Sequence, residues 1–178
     1  IGVYAASQVR AMDRHAIEVA GIPAYTLMQR AGDAALAVLR RTWPGAFQLT
    51  VVCGAGNNAG DGYVLARLAR AAGLQVNVCA LVDPRRLTGD AARAHADFAA
   101  AGGHDAGFTG AGLAGTDVVV DALLGTGVDR PVDGAMRDCI DAINACGLPV
   151  LALDLPSGLD ADTGLAHGAA IRAMRTIT

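Results

Sequence analysis

Four apolar runs rich in β-branched residues dominate the chain, and each is separated from the next by a helix-length segment. They are LTVVC (49–53), QVNVCALV (75–82), DVVVDALL (117–124) and PVLALDL (149–155). Continuous apolar runs suit strands covered on both faces, since a half-exposed strand would alternate apolar with polar. The intervening segments DGYVLARLARAAG (61–73), TGDAARAHADFAAAG (88–102) and GAMRDCIDAINACG (134–147) read as helices closed by glycine. Strand–helix alternation with short connections predicts a parallel sheet with helices on both sides. The Gly-rich stretch 103–116 leaves room for a short edge strand, and AAIRAMRTIT at the end reads as the start of one more.

Two helices are expected ahead of this alternation. One spans residues 7–20, capped by Ser7 and turning Val9, Met12, Ala16 and Val19 to one face. The other spans about 25–41, with Leu27, Ala31, Ala34 and Val38 inward, and ends at WPG (43–45). At 178 residues the chain suits a single domain spanning 1–178. Its last strand looks cut short, so a truncated C-terminal end is expected.

Composition removes several function classes. All fourteen basic residues are Arg, which rules out a P-loop lysine or a Schiff-base lysine. A net charge of −3 and 4% aromatic content oppose a nucleic-acid surface. No apolar run is long enough for a membrane span, and no signal pattern opens the chain, so a cytoplasmic protein is expected. Cys53, Cys79, Cys139 and Cys146 have no C-x-x-C or zinc spacing; Cys53 and Cys79 lie in strand-like runs as buried thiols. His15, His95, His104 and His167 are scattered and read as structural or surface residues.

In a parallel sheet of this kind, ligands bind beyond the carboxyl ends of the strands. That rule selects the loops 54–61, 83–88, 125–133 and 155–164. The first, GAGNNAGD, matches the dinucleotide pattern GxGxxG/A, yet adds Asn57, Asn58 and Asp61. Asp61 would repel a pyrophosphate unless a cation or a capping bond offset its charge, and it reads as the N-cap of the following helix. Asp83, where an acid could hold a ribose, reads more simply as a turn residue before Pro84. In the third loop Gly125, Thr126 and Gly127 form a second glycine turn. Arg130 can pair with phosphate, and Asp133-Gly134 opens a helix whose N-terminus is itself an anion site. In the fourth, Asp154 ends an apolar strand, where a carboxylate is costly unless paired or functional. Asp160 and Asp162 read as turn residues.

Asn58, Asp121 and Ser157 come from three different strand ends and offer hard oxygens with a single carboxylate. That set suits a monovalent cation such as K⁺ better than Mg²⁺ or Ca²⁺; hydrogen-bonded scaffolding without metal is the alternative.

Together, GAGNNAGDG (54–62), DALLGTGVDRPVDG (121–134) and LDLPSGLDADTG (153–164) resemble the YjeF N-terminal domain family, the NAD(P)H-hydrate epimerases. VRAMD (9–13) and GIPAYTLMQRAG (21–32) are similar to that family's N-terminal helices. The resemblance implies a Rossmann-like αβα sandwich and, as substrate, the hydrated form of NADH or NADPH. It places substrate contacts on Asn57, Asn58, Ala59, Gly60 and Asp61, on Gly125, Thr126, Gly127, Val128, Asp129, Arg130 and Pro131, and on Asp154. It places a K⁺ site on Asn58, Asp121 and Ser157. Ala59 stands where the family commonly has Gly, which matters if that position needs φ > 0. Many family members carry a C-terminal dehydratase domain.

For inversion at the hydrated carbon, one carboxyl group can protonate the leaving oxygen and later deprotonate water. Asp154 is the candidate from its place in the crevice, and Asp61 the reserve. Two other readings compete: a non-catalytic nucleotide- or partner-binding module of the same fold, and an ordinary NAD(P) dehydrogenase. The N-terminal helices, lying outside the βα alternation, offer a homodimer face.

Overall fold

In the computed structural model, which describes residues 4–126 and 131–178, the chain forms α1 (Ala6–Glu18), α2 (Ala24–Thr42), β1 (Gln48–Cys53), α3 (Asn57–Ala71), β2 (Gln75–Ala80), α4 (Gly89–Ala100), β3 (Asp105–Gly107), β4 (Val118–Ala122), α5 (Gly134–Ala145), β5 (Val150–Leu153) and β6 (Arg175–Ile177). The strands make one six-stranded sheet in the order β3-β2-β1-β4-β5-β6. Every neighbouring pair is parallel. The expected doubly covered sheet is present, including the short edge strand β3 and the closing strand β6. The order reverses between β1 and β4, the switch point where such sheets open a ligand crevice.

Two apolar cores sandwich the sheet. On one face Val51, Val78, Val120 and Leu151 meet Tyr63, Leu65 and Phe98 from α3 and α4, with Leu36 and Leu39 of α2 behind them. On the other, Val52, Val119 and Leu123 meet Cys139, Ile140 and Ile143 of α5. Cys53, Cys79 and Cys139 are buried free thiols, and burial pushes all three up from the usual thiol range.

Several boundaries and faces differ from expectation. The inward face of α2 is Tyr25, Met28, Gly32, Ala35, Leu36 and Leu39, whereas Ala31 and Ala34 are exposed. Gly32 fixes this rotation: a Cβ there would lie 2.5 Å from Val64 Cγ1, so the bare glycine lets α2 close on α3. In α1 the N-cap is Ala5, not Ser7, and its N–H donates to Gln8 Oε1 at 2.8 Å. The covered stripe of α1 is Ala6, Val9 and Ala16, whereas Met12 and Val19 are 46% and 70% exposed. The helix expected to begin at Asp61 begins at Asn57, so Asp61 lies inside it and caps nothing. Asn57 and Asn58 therefore belong to a helical first turn, not to an open loop.

Candidate functional site at the strand switch point

The carboxyl ends of β1, β4 and β5 converge. A Cβ at Gly54 would lie 2.0 Å from the Leu123 carbonyl oxygen, and the Gly54 N–H donates to Ala122 O at 3.0 Å. Only glycine permits the two strand ends to meet this closely. Just beyond, the first turn of α3, which has no side-chain cap, presents the positive end of the helix dipole; its Ala59 N–H donates to Gly56 O at 3.1 Å.

Asn58, Asp121 and Ser157 are brought together as expected. Asp121 is fully buried: its Oδ1 accepts from Ser157 Oγ at 2.6 Å and from the Leu123 N–H at 3.2 Å, and its Oδ2 accepts from the Ser157 N–H at 2.8 Å. Burial pushes its carboxyl up to about 6, against the lowering effect of these bonds. Among the described residues no Arg or His pairs with it. Leu124 joins the third residue: its N–H donates to Ser157 Oγ at 2.8 Å, and its carbonyl accepts from Asn58 Nδ2 at 2.8 Å. Asn58 is 6% exposed, and its Oδ1 is buried with no hydrogen-bond partner among the described residues. A buried carboxylate without a counter-charge beside an orphaned amide oxygen is a donor set that a weakly charged cation would complete. Sequence reasoning missed Leu124, which acts only through its backbone.

Asp154 follows β5 in an unusual conformation. It is the one non-glycine residue with positive φ (+66°) among the described residues. The Leu155 N–H donates to Leu153 O at 2.9 Å across it, closing a three-residue turn of the strained γ type. Its own N–H donates to Ile177 O of β6 at 2.7 Å, and its Oδ2 accepts from the Thr126 N–H at 2.8 Å. A Cβ at Gly125 would lie 2.6 Å from that Oδ2 and 3.6 Å from Asn58 Cβ, so the glycine keeps open the space between these two residues. Burial is the main cause raising the Asp154 carboxyl, partly offset by the Thr126 N–H and reinforced by the charge of Asp13. Asp61, one turn into α3, is pushed up to about 7 by burial first, then by the charges of Asp154 and Asp13.

The remaining expected residues divide. Asn57 is exposed at the crevice, and Pro131 is exposed. Ala59 is wholly buried in the core in ordinary helical backbone, so the site tolerates a methyl there. Gly60 faces Met28 and Ala91, not the crevice; a Cβ there would lie 2.6 Å from Met28 Cε. These two can offer a ligand backbone only. Gly127, Val128, Asp129 and Arg130 lie outside the described residues. Asp83 is a turn residue: its carboxylate accepts from the Arg85 N–H at 3.0 Å and pairs with the Arg85 guanidinium. Asp160 is a turn residue as well, accepting from the Thr163 N–H at 2.7 Å. Asp162 does more, since its Oδ1 accepts from the Ala6 N–H at 3.0 Å and so ties α1 to the loop after β5.

Fold and site together define a Rossmann-type αβα domain whose strand switch point carries a helix N-terminus, a buried oxygen cluster and a strained carboxylate. The family described as YjeF-related protein N-terminus matches residues 24–178, and the chain belongs to it. It is 42% identical over 176 residues to the bifunctional NAD(P)H-hydrate repair enzyme Nnr of Escherichia coli, covering 99% of this chain and 34% of that protein. It is 37% identical over 175 residues to the NAD(P)H-hydrate epimerase of Limosilactobacillus fermentum, covering 97% and 83%. The crystal structure of yeast ynu0 superposes with a TM-score of 0.88 at 20% identity over 99% of this chain and 79% of that one, a likeness of fold. The chain spans about a third of the length of the bifunctional relatives it matches.

Proposed function

We propose that the domain epimerises the R and S forms of hydrated NADH and NADPH, and so serves nicotinamide nucleotide repair. The observation that carries this reading is Asp154: a raised carboxyl in a strained turn at the switch-point crevice, aimed by the Thr126 N–H. Relatives named for this activity support it. In the hydrate, a hydroxyl sits on the ring carbon next to nitrogen. The Asp154 carboxyl donates its proton to that hydroxyl, and the nitrogen lone pair expels water to leave an iminium. Water then adds from the opposite face and returns a proton to the carboxylate, so one residue serves as acid and then as base. The first turn of α3 suits the phosphates, with Asn57 beside them.

Asn58, Asp121 and Ser157 would hold K⁺. The cation would supply positive charge beside the buried Asp121 and a partner for Asn58 Oδ1, fixing the loops after β4 and β5 in place. No proton transfer is assigned to it. The exposed Met12 on α1, with Tyr4 and Val19 just beyond its two ends, supports a homodimer through that surface, which sedimentation velocity would report. The free cysteines suit a cytoplasmic protein.

The test follows separated R and S hydrates of NADPH by chromatography, with K⁺ or with a large organic cation. Interconversion above the spontaneous rate, faster in K⁺, is expected. A folded chain that leaves the spontaneous rate unchanged would count against the whole reading, and equal rates in both salts would remove the cation.

A further inference from the structure

A dinucleotide has two ends, and the residues assigned so far account for one of them. With the phosphates against the first turn of α3, the reacting ring lies on the β4–β5 side, where Gly125 keeps space open between Asn58 and Asp154. The sheet order β3-β2-β1-β4-β5-β6 then leaves the end of β2, on the other side of β1, for the adenosine half. Contacts place that strand end beside the same turn of α3. β2 runs in register with β1, with Ala80 opposite Cys53, and the Leu81 N–H donates to Cys53 O at 2.9 Å. A Cβ at Gly60, in the first turn of α3, would lie 3.0 Å from Ala91 Cα in the first turn of α4. Residues 81–88 join these two contacts, and so lie at the carboxyl edge beside the start of α3.

This edge carries Asp83 followed by a single 3-10 turn, Pro84–Arg86. In a dinucleotide fold an acid at this place accepts the ribose hydroxyls of NADH, and an arginine there takes the 2′-phosphate of NADPH. Here the acid is already engaged. Asp83 Oδ1 accepts from the Arg85 N–H and from Arg85 Nε, both at 3.0 Å, and its Oδ2 accepts from Nε at 3.0 Å and from Nη2 at 2.6 Å. Arg86 is exposed and makes no ion pair among the described residues. Arg85 neutralises Asp83, so the turn keeps the positive charge of Arg86. Ribose hydroxyls find no open carboxylate there, whereas a phosphate monoester finds an unpaired guanidinium. We propose that this turn reads the 2′ position of the adenosine ribose, with Arg86 as its specificity-determining residue, and that the domain prefers the hydrate of NADPH to that of NADH. The 2′-phosphate lies over Arg86 and away from the first turn of α4, which carries Asp90.

This inference rests on the epimerase reading for its kinetics, so binding of the oxidised dinucleotides is measured beside them. The unaltered chain should show kcat/KM about 10-fold higher for the NADPH hydrate than for the NADH hydrate, the worth of one hydrogen bond to a charged group. Arg86→Ala should abolish that preference by raising KM for the NADPH hydrate alone, with kcat kept. Arg86→Lys, which keeps the charge, should restore part of it. Arg85→Ala releases the Asp83 carboxylate to the ribose hydroxyls, and should shift the ratio toward the NADH hydrate. Calorimetric titration should give NADP⁺ about 10-fold tighter than NAD⁺, an advantage that shrinks with added salt and vanishes in Arg86→Ala. An inactive chain that still favours NADP⁺ through Arg86 would sink the epimerase reading and keep the 2′ reader. Equal kcat/KM for the two hydrates in an active chain, or a preference for NADPH that survives Arg86→Ala, would overturn the inference. So would a chain that epimerises neither hydrate and binds neither dinucleotide.

Discussion

The two edges of the sheet treat their polar groups in opposite ways. At the amino edge a cleft of about 200 Å³ is lined by Gln48, Thr50, Gln75, Asn77 and Thr116. Its polar groups serve one another: Thr50 and Thr116 share a hydroxyl hydrogen bond of 2.6 Å, Asn77 Nδ2 donates to Gly112 O at 3.0 Å, and Asp117 Oδ2 accepts from the Phe47 and Gln48 N–H groups. At the carboxyl edge, among the described residues, Asn58 Oδ1 has no partner, Asp121 is buried without a counter-charge, and Asp154 sits in a strained turn. Both edges are polar. The difference is that the amino edge pairs its polar groups with one another, whereas the carboxyl edge leaves polar groups unpaired among the described residues, which is the pattern expected of a binding edge.

The largest expected effect belongs to Asp154→Asn. Asn tolerates left-handed backbone at least as well as Asp, and its amide oxygen can still accept from the Thr126 N–H. The fold should survive, while the epimerisation rate falls by roughly 10²–10⁴-fold, the usual worth of a general acid–base group. Chromatography of the hydrates alongside a melting curve would check this. A variant with full activity would move the proton-transferring role away from the strained turn.

A smaller effect, on stability, is expected at Asp61. Its carboxyl is raised to about 7 in the folded protein from an ordinary value of 3.8. The folded state therefore binds this proton more tightly than the unfolded state does. Stability from this group is fully present below about pH 4 and is lost as pH rises through about 7. Asp61→Asn, which cannot ionise, should match the parent near pH 4 and exceed it by about 1–3 kcal/mol at pH 8, after allowance for partial solvation. Denaturant unfolding at the two pH values measures the difference. An equal gain at both would show that the carboxyl is not desolvated by the crevice.

What the sequence made legible follows from which signals are local. The buried strands announced themselves as apolar runs, and the strand-end rule then selected Asn58, Asp121, Asp154 and Ser157 without any coordinates. The start of α3 was misplaced because GNNAGD has poor helix propensity, and tertiary packing around Gly60 and Gly62 overrides it: a Cβ at Gly62 would lie 2.6 Å from Ala122 Cβ. The inward face of α2 was misjudged because Gly32 marks that face by lacking a side chain. The role of Leu124 carried no side-chain signal at all.

The weakest substitution tests the satisfied edge. Thr116→Val keeps the shape of the side chain and removes one hydroxyl from a buried pair. The Thr50 hydroxyl is not stranded, because it can turn to the Gly112 carbonyl oxygen, 3.4 Å away. The cost should therefore stay near 1 kcal/mol, the ordinary net worth of a hydrogen bond, and not reach the larger penalty of an orphaned buried group. Epimerisation and its response to K⁺ should be unchanged, since Thr116 precedes β4 and Asp121 and Leu124 lie at its far end. A change in kcat/KM with little change in melting temperature would mean that the two edges communicate through β4. In that case internal satisfaction of the amino edge would no longer separate scaffold from site.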